Sequence, residues 1–351
     1  EEEGKTVWTA VQEEMIAFAL KLAGFSSVTD LPSPNMVAQV LLSGLLIMTD
    51  WIASNVDYYP YIRIEDSYGG LNLETRERAG WDLLDLSSPW VVENEWAKAD
   101  LYKVRFNHHE PREIQSAILK TVKEILSPGM VILEAPMGGG KTEAALVAAE
   151  VFADISQRSG VFFALPTQAT ADGIFPRLLR WIGTLEKACN RSIMLAHGKA
   201  EFNKEYEGLR IPTGSKQIAV DNDSGVVVRE WFEGKKKSLL ADFVVGTIDQ
   251  LLLAALKHKH VMLRHLGLAN KVVIIDECHA YDAYMSRYLY MALRWLGAYG
   301  VPVIILSATL PAEKRRKLIL AYLNQELKPP ANPDPLGRDP KVSAKPQPEW
   351  M

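Results

Sequence analysis

Six short apolar runs constrain this chain more than any other feature: "MVILEAP", "GVFFALPT", "SIMLAHG", "DFVVGTID", "VVIIDE" and "PVIILSAT", all between residues 130 and 309. Each is continuous rather than alternating, so each predicts a strand covered on both faces, and helical stretches separate several of them. The pattern predicts an α/β fold with a mostly parallel sheet. In such sheets ligands gather beyond the carboxyl ends of the strands, where the polar groups closing these runs fall.

The first run leads into "EAPMGGGKTEAAL", with Gly138, Gly139, Gly140, Lys141 and Thr142 between a predicted strand and a helix-forming stretch. This is the phosphate-loop spacing Gly-x-x-x-x-Gly-Lys-Ser/Thr, with Ala135 at the first glycine position. Glycines let backbone N–H groups approach phosphate oxygens, and the following helix N-terminus favours negative charge. Pro136, Met137 and the three glycines are expected to cradle ATP. Lys141 would reach its β- and γ-phosphates, and the Thr142 hydroxyl would hold Mg²⁺.

The fifth run, Val272 to Ile275, ends in Asp276 and Glu277. Two carboxylates at the end of a buried strand are costly unless a cation or a catalytic task holds them there. Beside a phosphate loop, Asp276 is expected to hold the Mg²⁺ that accompanies ATP, and Glu277 to orient or deprotonate the attacking water. A helix N-terminus attracting acids would account for one carboxylate, not for a pair.

Residues 1 to about 100 follow a helical grammar. "EEMIAFALKLAG" ends at Gly24, a C-cap, and "NMVAQVLLSGLLIMTDWIASN" is apolar enough for a buried helix. A polar stretch (57–70) precedes helical patterning at 71–85, and the region from "SSPW" to Pro111 reads as a connector. From Pro329 the chain is Pro-rich without apolar periodicity, a linker or disordered tail. The net charge of −4 supplies no global basic field, although a local basic groove suffices for nucleic acid. Cys189 and Cys278 are the only cysteines, so no disulfide framework or Cys-based zinc site follows, and a reducing, cytoplasmic setting fits. "VLLSGLLIM" is too short to span a bilayer, and the N-terminus has no signal character, so no membrane association is expected.

In their order these motifs resemble those of superfamily 2 helicases. Asp276-Glu277-Cys278-His279 resembles motif II, and Ser307-Ala308-Thr309 in "LSATLP" resembles motif III. Arg112 and Gln115 in "PREIQ" resemble the adenine-recognising Q-motif, "ALPTQATADGIFPRL" motif Ia and "VVGTIDQLL" motif Ib. "LPTQATA", "LAHGKAEFN", "VGTIDQLL" and "DECHAYDAYM" together are similar to the type I CRISPR-associated nuclease–helicases, which degrade invader DNA after recruitment by an RNA-guided surveillance complex. "LLIMTDWIASN" resembles the closing helix of that family's HD nuclease domain. Asp50 matches a ligand of the catalytic metal there, a divalent transition metal, with Ser54 one turn later on the same face.

The resemblance implies the C-terminal part of an HD-type nuclease domain at 1–100, a connector at 101–111, a RecA-like helicase domain at 112–325 and a tail at 326–351. It implies that His279, Ser307, Ala308 and Thr309 couple the ATP site to DNA. Pro166, Thr167, Gln168 and Thr247 would lie along single-stranded DNA and contact its phosphates. Hydroxyls, amides and backbone N–H groups can grip a phosphate backbone without reading bases, as a translocating motor requires.

No histidine precedes His108 and no His-Asp dipeptide occurs, so the other HD ligands are not found. His108-His109 reads as a solvated linker pair, and "KHKH" (257–260) as a solvated helix end. About forty residues follow motif III, too few for a second RecA-like domain with its arginine finger. The expectation is part of a longer enzyme that binds ATP–Mg²⁺ weakly and alone neither unwinds nor cuts DNA. Two other readings stay open: part of a general DExH-type RNA helicase, and a non-catalytic nucleotide-dependent binding module.

Overall fold

The six apolar runs form most of an eight-stranded sheet in a computed structural model of the chain. The strands are β1 (Met130–Glu134), β2 (Val161–Leu165), β3 (Arg191–Ala196), β4 (Arg210–Ile211), β5 (Val226–Arg229), β6 (Phe243–Thr247), β7 (Val272–Ile275) and β8 (Val303–Ser307). Their order is β1-β8-β7-β2-β6-β3-β5-β4, and every neighbouring pair is parallel. The structure describes residues 2–63, 72–84, 86, 89–92, 100–107, 110–125, 127, 129–185, 191–211, 226–234 and 236–325. The Pro-rich tail, His108-His109, Cys189 and much of the polar stretch at 57–70 lie outside the described residues.

Every residue of β2, β6, β7 and β8 is buried, which is why these strands read as unbroken apolar runs. Register aligns their ends: Leu165 faces Thr247 across β2 and β6, and Glu134 faces Ser307 across β1 and β8. The phosphate loop, motif II and motif III therefore open from one edge of the sheet. The helices after β1 and β2, α6 (Lys141–Ser156) and α7 (Gln168–Thr184), pack against β7 and β8 and against β6 and β2 respectively.

The N-terminal part is helical, as expected. Gly24 ends α1 (Glu2–Ala23) at φ 76°, with Phe25 N–H donating to the Leu20 carbonyl at 2.9 Å. Asn35 caps α2 (Met36–Ala53) by accepting from Ala38 N–H at 2.9 Å. The expectation that α2 is a buried helix is corrected: within the helix only Gly44 and Ile52 are buried. One face seats on α10 (Val261–Ala269), but the apolar stripe is wider than one partner covers, so Leu42, Leu45 and Leu46 face outward. By length and composition α2 could cross a bilayer, a test its nine-residue core run did not meet. At the contact, a Cβ on Gly44 would stand 2.5 Å from the Met262 carbonyl oxygen, so only glycine permits this approach. Trp51 closes the contact edge-on against the His260 ring, centroids 5.0 Å apart.

The expected connector is corrected as well. Trp90 is buried, edge-on to Trp181 and tilted against Phe243. Residues Leu101–Phe106 form a helix, α4, with Leu101 and Tyr102 buried. Arg105 on α4 makes an ion pair at 2.6 Å with Glu150 on α6, whose side chain is 2% exposed, and also donates to the Thr184 carbonyl. Single aromatic anchors and a six-residue helix carry no periodicity to detect, and contacts rather than propensity fix them.

Candidate nucleotide site

A cleft of about 460 Å³ opens at the carboxyl edge between the phosphate loop and the end of β7. Arg112, Gln115, residues Met137 to Thr142, Asp276 and Glu277 line it together, so the predicted phosphate loop, acidic pair and Q-motif residues meet in one place. Pro136 stands directly before them.

Gly140 adopts φ 85°, and a Cβ there would lie 2.5 Å from Gln115 Nε2, so glycine is required twice over. Gln115 is almost fully buried, on the first turn of α5 (Glu113–Glu124). Its Oε1 accepts from the Arg112 N–H at 2.9 Å and its Nε2 donates to the Gly140 carbonyl at 3.3 Å. The Arg112 guanidinium donates to the Gly138 carbonyl. The Q-motif residues thus brace the loop directly. From α4, the Tyr102 hydroxyl donates to the Gln115 carbonyl at 2.8 Å.

Lys141 is buried, and its ammonium donates to the carbonyls of Ala135 (2.6 Å) and Pro136 (3.1 Å). Its hydrogen-bond partners are neutral, and a buried ammonium among neutral partners is matched to an incoming anion. Asp276 lies within its field. Burial raises the Asp276 carboxyl above its ordinary value, against the Glu277 N–H that donates to Oδ1 at 2.8 Å. Its backbone is fixed by N–H donation to Ala164 and by the Tyr281 hydroxyl on its carbonyl. Glu277 holds φ 52°, left-handed for a non-glycine residue, a strained state that clusters at functional sites.

From Glu277 a polar chain crosses to motif III. His279 Nε2 lies 3.1 Å from Glu277 Oε2, His279 Nδ1 lies 3.2 Å from Ser307 Oγ, and Ser307 donates to the Thr309 carbonyl at 2.9 Å. Ala308 sits between the last two, half-buried. The residues expected to couple thus form one connected path. Glu134, opposite Ser307, fastens the far side by accepting from Leu310 N–H and from Arg315.

Pro166, Thr167 and Gln168 follow β2 at the same edge, and Thr167 and Gln168 are exposed. Thr167 also caps α7, accepting from Thr170 N–H at 3.2 Å. Thr247 is adjacent across the sheet but only 7% exposed. Asp50 stands apart from all of these, exposed on α2, while the Ser54 hydroxyl is spent on the Asp50 backbone carbonyl at 2.6 Å. Among the described residues no group of three or more His, Cys, Asp or Glu side chains could hold a metal ion, so Asp50 gains no co-ligand there. Of "KHKH" at the entry to α10, Lys257, His258 and Lys259 are exposed as expected, whereas His260 is half-buried against Trp51. Glu110, Glu143 and Arg177 also line the cleft and were missed; Glu143 follows the loop directly, but nothing in the sequence brings Arg177 there.

The "DEAD/DEAH box helicase" family model matches residues 112–318, and the "Cas3, HD domain" model matches residues 1–59. A CRISPR-associated nuclease/helicase Cas3 of Streptococcus thermophilus is 48% identical over 90% of this chain and 34% of its own length. The crystal structure of T. fusca Cas3-ADP superposes with a TM-score of 0.71 at 33% identity, over 85% of this chain and 33% of that one. A chain in a CRISPR RNA-guided surveillance complex, pre-nicking, aligns with a TM-score of 0.54 at 30% identity, over 86% of this chain and 30% of that one. The chain spans about a third of the length of the curated relatives it matches. An HD match joined to a helicase match sets it apart from general RNA helicases. The chain belongs to the DEAD/DEAH box helicases, among the CRISPR-associated Cas3 nuclease–helicases.

Proposed function

We propose that this chain forms the first motor domain, and the closing helices of the nuclease domain, of an ATP-driven enzyme that translocates on single-stranded DNA and degrades invader DNA in type I CRISPR interference. The observation that carries this reading is the single cleft holding Lys141, Asp276 and Glu277, joined through His279 to Ser307. The buried ammonium, the strand-end carboxylate and the Thr142 hydroxyl suit a triphosphate with Mg²⁺, which would supply charge neutralisation at the phosphates. Lys141 would hold the β- and γ-phosphates, and Asp276 and Thr142 the metal. Glu277 would take or orient the proton of the attacking water, while Gln115 and Arg112 hold the loop in shape.

Pro166, Thr167, Gln168 and Thr247 are proposed to follow the DNA backbone, with the exposed Thr167 and Gln168 as the main contacts. Asp50 is proposed as one ligand of a divalent transition metal; the described residues do not complete that site, and no step is assigned to it. The partners proposed are single-stranded DNA and an RNA-guided surveillance complex, in the cytoplasm.

The test is titration calorimetry of this polypeptide with ATP–Mg²⁺, followed by ATPase assays of the complete enzyme with single-stranded DNA and with RNA. Weak ATP binding that Lys141→Ala abolishes, with stimulation by DNA and not RNA, is expected. Unchanged ATP binding by Lys141→Ala, robust unwinding by this polypeptide alone, or preference for RNA would overturn the reading.

A further inference from the structure

Arg177 lies in motif Ia's helix, not in any nucleotide motif, yet it lines the same cleft as Lys141, Asp276 and Glu277. Among the described residues its guanidinium, on an exposed side chain, makes no hydrogen bond or ion pair. Its line of approach is informative. It comes from α7, which follows β2, and β2 pairs directly with β7, whose end carries Asp276. Gln115 and its N-cap neighbour Arg112 reach the cleft from α5, which packs against α6. Arg177 therefore enters the cleft from the β2 side, on a helix that carries no nucleotide motif.

We propose that Arg177 is a phosphate-binding residue of the nucleotide site, contacting the terminal phosphates alongside Lys141. The proposal rests on the ATP reading above and adds a ligand to it. An unpaired guanidinium suits this place because its planar fork can bond phosphate oxygens in pairs.

The placement also makes α7 a physical link. Its N-cap Thr167 and first residue Gln168 stand at the proposed DNA edge, and Arg177 follows roughly 13 Å along the axis. Between them, the Asp172 carboxylate accepts from Asn203 at 2.9 Å and lies 3.2 Å from His197 Nε2, tying the helix to the segment after β3. Pro176, inside the helix, lacks the N–H that would bond the Asp172 carbonyl, which loosens the turn just before Arg177.

The experiment is titration calorimetry of the chain and its R177A, R177K and K141A variants with ATP–Mg²⁺ and with AMP, circular dichroism confirming that each is folded. Arg177 is exposed, so R177A should fold normally. R177A should raise the Kd for ATP about tenfold or more, R177K should recover part of the loss, and AMP binding should not change. If R177A binds ATP within about twofold of wild type while K141A loses it, the Arg177 assignment falls and the ATP site stands. Equal weakening of ATP and AMP by R177A also overturns it. If neither R177A nor K141A affects ATP binding, both readings fail.

Discussion

Asp276 sits where burial opposes the charge that a metal-bound nucleotide requires. Its carboxyl is raised above the ordinary 3.8, with burial the largest cause. For an acid raised in this way, the stability it contributes is fully present below the ordinary value and is lost as pH rises through the raised one. Asp276→Asn should therefore stabilise the ligand-free chain at pH 7 by on the order of 1 kcal/mol and bind no ATP–Mg²⁺. The gain should vanish at about pH 2.5, well below the ordinary carboxyl value, where the side chain is uncharged in either state. Urea denaturation at the two pH values measures it; a gain that persists in acid would assign the effect to packing instead. Glu277, one residue on, shows a second strain of the same origin: its left-handed backbone is the cost of turning the chain directly after a buried strand.

At the scale of elements, α4 is held onto the helices of the sheet by one nearly enclosed pair. Its Arg105 pairs with Glu150, nearly enclosed on the helix that follows the phosphate loop. Removing one partner of a buried pair strands the other, so Arg105→Ala should cost about 3–5 kcal/mol in urea unfolding, and Arg105→Met with Glu150→Leu should recover most of it. A cost under about 1 kcal/mol for the single change would show that Glu150 finds water. This helix was not legible in the sequence, and neither was the anchoring of Trp90, because both are fixed by distant partners. The strands of the six apolar runs were legible because burial, complete in β2, β3, β6, β7 and β8, writes itself as an unbroken apolar run. β4 was not, because two residues give too little pattern to separate from loop, and β5, four buried residues like β7, was missed although its Val-Val-Val run carries the same signal. The nucleotide site followed the same rule. The loop and the acidic pair are local and spaced by chemistry, so residue order was enough. Arg177 reaches the cleft only because β2 lies beside β7, a fact of topology that no spacing records.

At the scale of the whole molecule, α10 joins the two parts, carrying α2 on one side and running through Asn270 and Lys271 into β7. His265 on α10 is packed edge-on against Trp295, with Nδ1 3.0 Å from the Tyr299 hydroxyl, and burial lowers its imidazole from 6.5 to about 4. Between those values the unfolded chain takes up a proton that the folded chain refuses, so stability falls as pH drops through that window. The loss should be on the order of 3 kcal/mol between pH 7 and pH 4. His265→Gln should show a smaller loss over the same range in urea titrations. An equal loss would place the acid sensitivity elsewhere.

The bare backbone of Gly44 against Met262 also has a mechanical meaning. If Asp50 does serve a cutting centre, that centre is not hung from the motor on a flexible leash. It is seated, helix on helix, at a stand-off set by two main chains in contact, and so has no reach of its own. Under the proposed function, a strand would be cleaved only where the motor delivers it.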